Sequence, residues 1–249
     1  MFYRFMRLIA YLVLRPIFFI FIHGGLRFEG KENLPQKGGV LITPNHICYA
    51  DPPTVAMACP RHAYLMAWDK LFKIPVLGTL IRWLRAFPVK PGTADRNAMR
   101  FAEDLLKQGE AVIIFPEGGV SPTGVMMPLR AGVLMMAQHA NVPIVPTIVE
   151  NTNKFLPYEQ LKPHFIKEYI LVRFGKPVTV AELTGGVKGG EGYKIGAERL
   201  FQLMRALQEN KPYPEFGPVE TASENNNSVE AAMEEMPTDQ ATALANSKG

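Results

Sequence analysis

Cysteine is nearly absent from this 249-residue chain: only Cys48 and Cys59 occur, too few for a disulfide framework. No small-residue cleavage pattern follows the first apolar stretch, so a reducing, cytosolic setting is the default expectation. A Cys48–Cys59 bridge is the weaker reading. Metal-ligand clusters are missing too. His23, His62, His139 and His164 have no companion ligands at useful spacing, so neither a metal nor another cofactor is expected. No acidic residue precedes Glu29, and no internal repeat is evident. A membrane-spanning helix needs an apolar run of about 20 residues. Residues 8–22 offer 15, interrupted by Arg15 and Pro16.

What remains is the composition of a folding chain, 47% hydrophobic and 20% charged, long enough for one large domain with appendages. Its net charge of +4 is unevenly spread. Residues 218–249 hold Glu220, Glu224, Glu230, Glu234, Glu235 and Asp239 against Lys248, a net −5, which leaves +9 on residues 1–217. A basic body calls for an anionic partner, nucleic acid or an anionic lipid surface. On a helix, Arg4, Arg7, Tyr11 and Arg15 share an arc of roughly 80°, while Phe5, Leu8, Ile9, Leu12 and Val13 cover other faces. A cationic stripe on an apolar helix suits lipid headgroups, so an interfacial or re-entrant anchor is expected. An ordinary amphipathic core helix is the alternative. Nucleic-acid binding is disfavoured, because these arginines lie on an apolar helix and not beside stacking aromatics on a sheet.

Beyond Gly24 and Gly25, apolar runs alternate with amphipathic ones. Strands are expected at 26–28, 39–43, 63–67, 85–89, 111–115, 144–149 and 169–174, and helices at 52–58, 95–107, 130–140 and 193–208. The alternation predicts an α/β fold with a largely parallel sheet flanked by helices, behind an N-terminal amphipathic anchor. Three regions follow: an anchor at 1–24, a catalytic-type domain at 25–215, and an acidic tail at 216–249 with almost no aromatics, expected to be disordered.

Two loops combine polar residues with strand ends. In the first, Asn45 and His46 follow the 39–43 strand, and Asp51 precedes Pro52 and Pro53. Pro52 disfavours helical backbone at Asp51 and makes it a plausible helix N-cap. His46 then sits on a turn that can fold its ring onto the Asp51 carboxylate, fixing the tautomer and leaving the second nitrogen as a base. A cap plus a loop histidine is the plainer reading of that pair. In the second loop, Phe115-Pro116-Glu117-Gly118-Gly119-Val120-Ser121 follows the 111–115 strand, at the strand end where open α/β sheets bind ligands.

Together these segments resemble the glycerolipid acyltransferase superfamily, whose best-known members are 1-acylglycerol-3-phosphate acyltransferases. The first motif, N-H-x-S-x-x-D, is met by Asn45, His46 and Asp51, with Cys48 where serine is usual. The third, F-P-E-G-T-R-S, is met by Phe115, Pro116, Glu117, Gly118 and Ser121, with Gly119 for threonine and Val120 for arginine. The fourth, V-P-I-V-P-V, is met by residues 142–146, with Thr147 last. Residues 86–90, ending at Lys90, fit the looser second motif, and Leu129-Arg130-Ala131-Gly132 stands where F-K-x-G is common. The resemblance runs from about Leu26 to Pro177.

It implies a transferase in phospholipid biosynthesis, peripheral or monotopic at the cytoplasmic membrane face. An acyl group would pass from acyl-CoA or acyl-carrier protein to the hydroxyl of a lysophospholipid. His46 is the implied general base, oriented by Asp51. The implied substrate contacts are Asn45, Lys90, Glu117, Gly118, Gly119, Ser121 and Arg130, with Glu117 receiving acceptor hydroxyls. Since Val120 replaces the arginine usually assigned to the acceptor phosphate, Lys90 or Arg130 would supply that charge. Rival readings are an acceptor other than lysophosphatidate, a thioester hydrolase, or a non-catalytic lipid-binding protein.

Overall fold

The computed structural model describes residues 12, 16, 18–90, 95–160, 162–217 and 219. Most of the expected anchor and nearly all of the acidic tail therefore lie outside the described residues. Seven strands form one sheet: β1 (Leu26–Glu29), β2 (Val40–Pro44), β3 (Ala63–Trp68), β4 (Ala86–Val89), β5 (Ala111–Ile113), β6 (Ile144–Glu150) and β7 (Ile170–Phe174). Their order is β1-β7-β6-β2-β5-β3-β4. Every neighbouring pair is parallel except β6 and β7. The expected α/β architecture is present.

The central strands β2, β5 and β6 are buried almost throughout because both sheet faces are covered there, whereas the edge strand β1 alternates, Arg27 and Glu29 with its apolar residues. Successive residues of a strand point to opposite faces. Leu41, Val112, Ile144 and Ile148 pack on one side, against α3 (Arg96–Lys107), α4 (Gly132–Ala140), α6 (Val180–Thr184) and α7 (Gly189–Gln208). Val40, Ile42, Val145, Val149 and Val172 pack on the other, against Val55 and Ala58 of α1 (Asp51–Ala58) and against Leu34. Helix α3 begins where the sequence predicts: the Asp95 carboxylate accepts from Ala98 N–H at 3.1 Å. It ends ahead of Gly109, whose φ of 86° favours glycine.

Two further short helices, α2 (Leu77–Trp83) and α5 (Thr152–Phe155), follow β3 and β6 and were not signalled by periodicity, as was also true of α6. Strand β5 leaves the ladder two residues earlier than its apolar run suggests. Parallel strands share a direction, so the loops after β2, β5 and β6 emerge on one edge of the sheet at its centre. That edge carries the polar motifs.

Candidate active site

Asn45 leaves β2 fully buried, and its side chain extends the strand pairing by one step. Its Oδ1 accepts from Val149 N–H at 2.6 Å, while its Nδ2 donates to Val149 O at 3.1 Å. The amide is thereby occupied by β6. Its geometry is that of a pin for the next residue, with no exposed polar atom toward the rim.

His46 is held through its backbone by the second loop. Its N–H donates to Glu117 Oε1 at 2.6 Å, and its carbonyl accepts from Ser121 N–H at 2.7 Å. The imidazole lies on the Phe115 ring, with centroids 4.2 Å apart and planes 30° apart. This explains why β5 stops early: Phe115 turns out of the ladder to floor the histidine. Nδ1 lies 3.0 Å from Asp51 Oδ2. An ionised carboxylate can only accept, so Nδ1 carries the proton and Nε2 is the basic nitrogen.

Asp51 is fully buried and gathers four donors. Its Oδ2 also accepts from the N–H groups of Ile47 at 2.7 Å and Cys48 at 2.8 Å, and its Oδ1 accepts from the Thr152 hydroxyl. It is the first residue of α1, not the cap outside it; Ala50 holds the cap position and offers no side-chain bond. The carboxylate instead turns back over the 46–48 turn. Such a network fixes the ring orientation before any substrate arrives. Thr152→Val keeps the shape but leaves Oδ1 without its donor. We expect it to cost about 1–3 kcal/mol in denaturant titrations and to slow turnover; unchanged stability would show that the hydroxyl is not a support of Asp51.

Glu117 is 5% exposed, and both its oxygens accept from backbone, Oε1 from His46 and Oε2 from Met127 N–H at 2.8 Å. Burial pushes its carboxyl up to about 6 from an ordinary 4.5, against the pull of those two N–H groups. Because the folded value is the higher one, the folded chain binds this proton more tightly than the unfolded chain. The resulting stability is full below pH 4.5 and is lost as pH rises through about 6. Glu117→Gln should remove that dependence, a change of about 2 kcal/mol in the stability difference between the two proteins. Denaturation of both at pH 4 and pH 7 measures it, and parallel profiles would discount Glu117 as its source.

The remaining sequence-predicted residues divide into two groups. Gly118 forms the tight turn, with φ of 77° and its N–H bonded to Phe115 O at 3.2 Å. That φ is what favours glycine, and a Cβ there would stand 2.3 Å from Arg130 Nε and displace this side chain from the turn. Arg130 is exposed and donates from Nε to Glu117 O at 3.3 Å, placing its guanidinium over the same turn. Gly119 is exposed beside it. Ser121 is fully buried, its Oγ 3.3 Å from Thr123 Oγ1, so it belongs to the loop's interior. Lys90 follows the edge strand β4, two strands from β5, or roughly 10 Å at ordinary strand spacing. Arg130 is brought to the Glu117–Gly118 turn, whose carboxylate holds the His46 backbone, while Lys90 follows the edge strand.

Both cysteines are free thiols. Cys48 donates to Leu156 O at 3.0 Å, and burial followed by the Asp51 charge pushes its thiol up to about 12. A thiol so disfavoured as thiolate is a poor nucleophile. Phe115 and Thr152 are the supporting residues that sequence reasoning did not assign.

Comparisons with known proteins bear on the family and the fold. The sequence profile of the family described as Acyltransferase matches residues 25–150, from just before β1 to the end of β6. The 1-acyl-sn-glycerol-3-phosphate acyltransferase of Bacillus subtilis is 32% identical over 189 residues, covering 76% of this chain and 87% of that protein. The protein of the same name from Streptococcus pneumoniae is 26% identical over 213 residues, covering 84% and 74%. Among solved structures, the 1-acyl-sn-glycerophosphate acyltransferase PlsC of Thermotoga maritima shares the fold, with a TM-score of 0.64 at 23% identity over 83% of this chain and 79% of that one.

Proposed function

The chain belongs to the acyltransferase family, and from that premise we propose that it acylates the free hydroxyl of a lysophospholipid such as 1-acylglycerol-3-phosphate, using acyl-CoA or acyl-carrier protein. The observation that carries the proposal is the His46–Asp51 pair: a 3.0 Å contact to a buried, fully hydrogen-bonded carboxylate, at the centre of the strands' C-terminal edge. His46 Nε2 takes the acceptor's hydroxyl proton as that oxygen bonds to the thioester carbonyl carbon. Asp51 stabilises the imidazolium. The tetrahedral intermediate collapses, the C–S bond breaks, and the imidazolium returns its proton to the departing sulfur. Ester and free thiol result, with no covalent enzyme intermediate, in keeping with the inert Cys48 and buried Ser121.

Glu117 acts here by holding the His46 backbone and the Met127 loop together. Arg130 offers the positive charge that Val120 does not, beside the turn where an acceptor phosphate would lie. The substrates' chemistry places the reaction at a membrane surface, and the cytoplasmic face is where acyl-CoA and acyl-carrier protein reside. No helix among the described residues is long and apolar enough to cross a membrane. The test is a matrix of lysolipid acceptors against one acyl-CoA and one acyl-carrier-protein donor. Ester formation with a lysophospholipid supports the proposal. Acceptor-independent thiol release would make the protein a hydrolase, and no turnover with any pair would make it a binding protein.

A further inference from the structure

The segment between β3 and β4 exposes more apolar surface than a loop needs. Of the twelve large hydrophobic residues exposed among those described, five fall within residues 68–83: Trp68, Ile74, Val76, Leu77 and Trp83. Strand β3 runs parallel to β5, and β5 to β2, so Trp68 at the end of β3 stands on the same sheet edge as His46 and Glu117. The segment is also a structured unit. A Cβ on Gly78 would lie 2.3 Å from Phe72 O, so α2 rests directly on the 3₁₀ turn Asp69–Lys73. Arg82 reinforces this contact, donating to Phe72 O at 3.2 Å.

Its outermost point is built at a conformational cost. Val76 has φ of 66° and ψ of −56°, and Leu77 N–H closes a tight turn onto Pro75 O at 2.7 Å. Such a γ-turn is rare, and a β-branched residue there is strained. Yet Val76 is 82% exposed, so no packing within the described chain accounts for an apolar side chain at this tip. The charges around it have one dominant sign: Lys70, Lys73 and Arg82 against the single acid Asp69. Lys70 lies over the Trp68 ring, 4.9 Å from its centroid.

We propose that this segment is a bilayer-docking face for an anionic lipid surface, distinct from the basic N-terminal segment. The tryptophans match the level of the headgroups, the aliphatic tip enters the acyl boundary, and the lysines meet lipid phosphates. Docking through Trp68 and the Val76 tip turns the His46 edge toward the bilayer, with Trp83 set further back, ahead of β4. The functional sense of that orientation rests on the proposed lysophospholipid acceptor, but the docking itself does not.

The chain's only two tryptophans are Trp68 and Trp83, so selectively excited tryptophan emission of the full chain reads this segment alone. Phosphatidylglycerol–phosphatidylcholine vesicles are expected to shift the emission to the blue, and lipids brominated in the upper acyl chain to quench it. Pure phosphatidylcholine should do so more weakly. Lys70→Gln and Lys73→Gln should each lower partitioning about fivefold, and Ile74→Ser with Val76→Gly and Leu77→Ser at least tenfold. Val76→Gly relieves backbone strain, and a circular dichroism spectrum of the triple variant matching the wild type separates loss of binding from loss of folding. His46→Ala should dock like the wild type even if no transferase activity is ever found, which separates this proposal from the functional one. Protein that sediments with vesicles while its emission stays unshifted and unquenched overturns the proposal. So does a chain that binds no anionic vesicle, or an apolar triple variant that partitions like the wild type.

Discussion

A folded His46→Ala protein is expected to lose acyl transfer by at least about 10²–10⁴-fold, the scale of general-base catalysis, while its circular dichroism stays that of the wild type. The histidine's structural contacts run mainly through its backbone, to Glu117 and Ser121, and alanine keeps both. Asp51→Asn should lose a similar factor for a different reason. The amide removes the negative charge behind the imidazolium: an NH₂ on the 46–48 side meets the Ile47 and Cys48 N–H groups, and an NH₂ on the other side makes the Thr152 hydroxyl turn from donor to acceptor. Each unmet buried group costs about 1–3 kcal/mol, so this variant should also melt at lower temperature. Wild-type turnover in either protein would end the general-base account.

The second large effect is expected at Arg130, in how well the acceptor is held. If the acceptor carries a phosphate monoester, Arg130→Ala should raise the acceptor KM about ten- to a hundredfold, since a hydrogen bond to a charged group is worth about 1.5–3 kcal/mol. The donor KM should move much less. Lys90→Ala should leave the acceptor KM within about twofold, because β4 lies two strand spacings from β5. Kinetics against lysophosphatidate and a neutral lysolipid decide this. An Arg130 variant that handles both acceptors as the wild type does would show that the Gly118 turn is not the phosphate site.

The sheet was legible because strands covered on two faces must be apolar without alternation, as residues 40–43 and 144–149 are. Strand direction was not: nothing in β7's composition distinguishes its antiparallel pairing with β6 from a parallel one. Helix α2 escaped notice because its start depends on the strained turn at Val76 and its seat on Gly78, neither of which produces a periodic pattern.

At the site, His46, Asp51 and Glu117 could be found because each is a polar residue directly beyond a strand end or before a proline pair. Thr152 could not, since it meets Asp51 across 101 residues of chain. Asn45 and Ser121 were read as substrate contacts from their place in the motifs. In the structure both are buried, and their polar atoms bond to Val149 and Thr123 within the protein. The motif thus mixes the proposed reacting residues with residues whose bonds hold them in place.

Thiol release and ester formation, measured together in one reaction with and without lysophosphatidate, test the central claim most directly. Direct transfer assisted by His46 predicts thiol and ester in equal amounts when the acceptor is present, and neither product in excess of the uncatalysed background when it is absent. Thiol released at the same rate without acceptor, or acyl groups recovered on Cys48 or Ser121 after quenching, would contradict it.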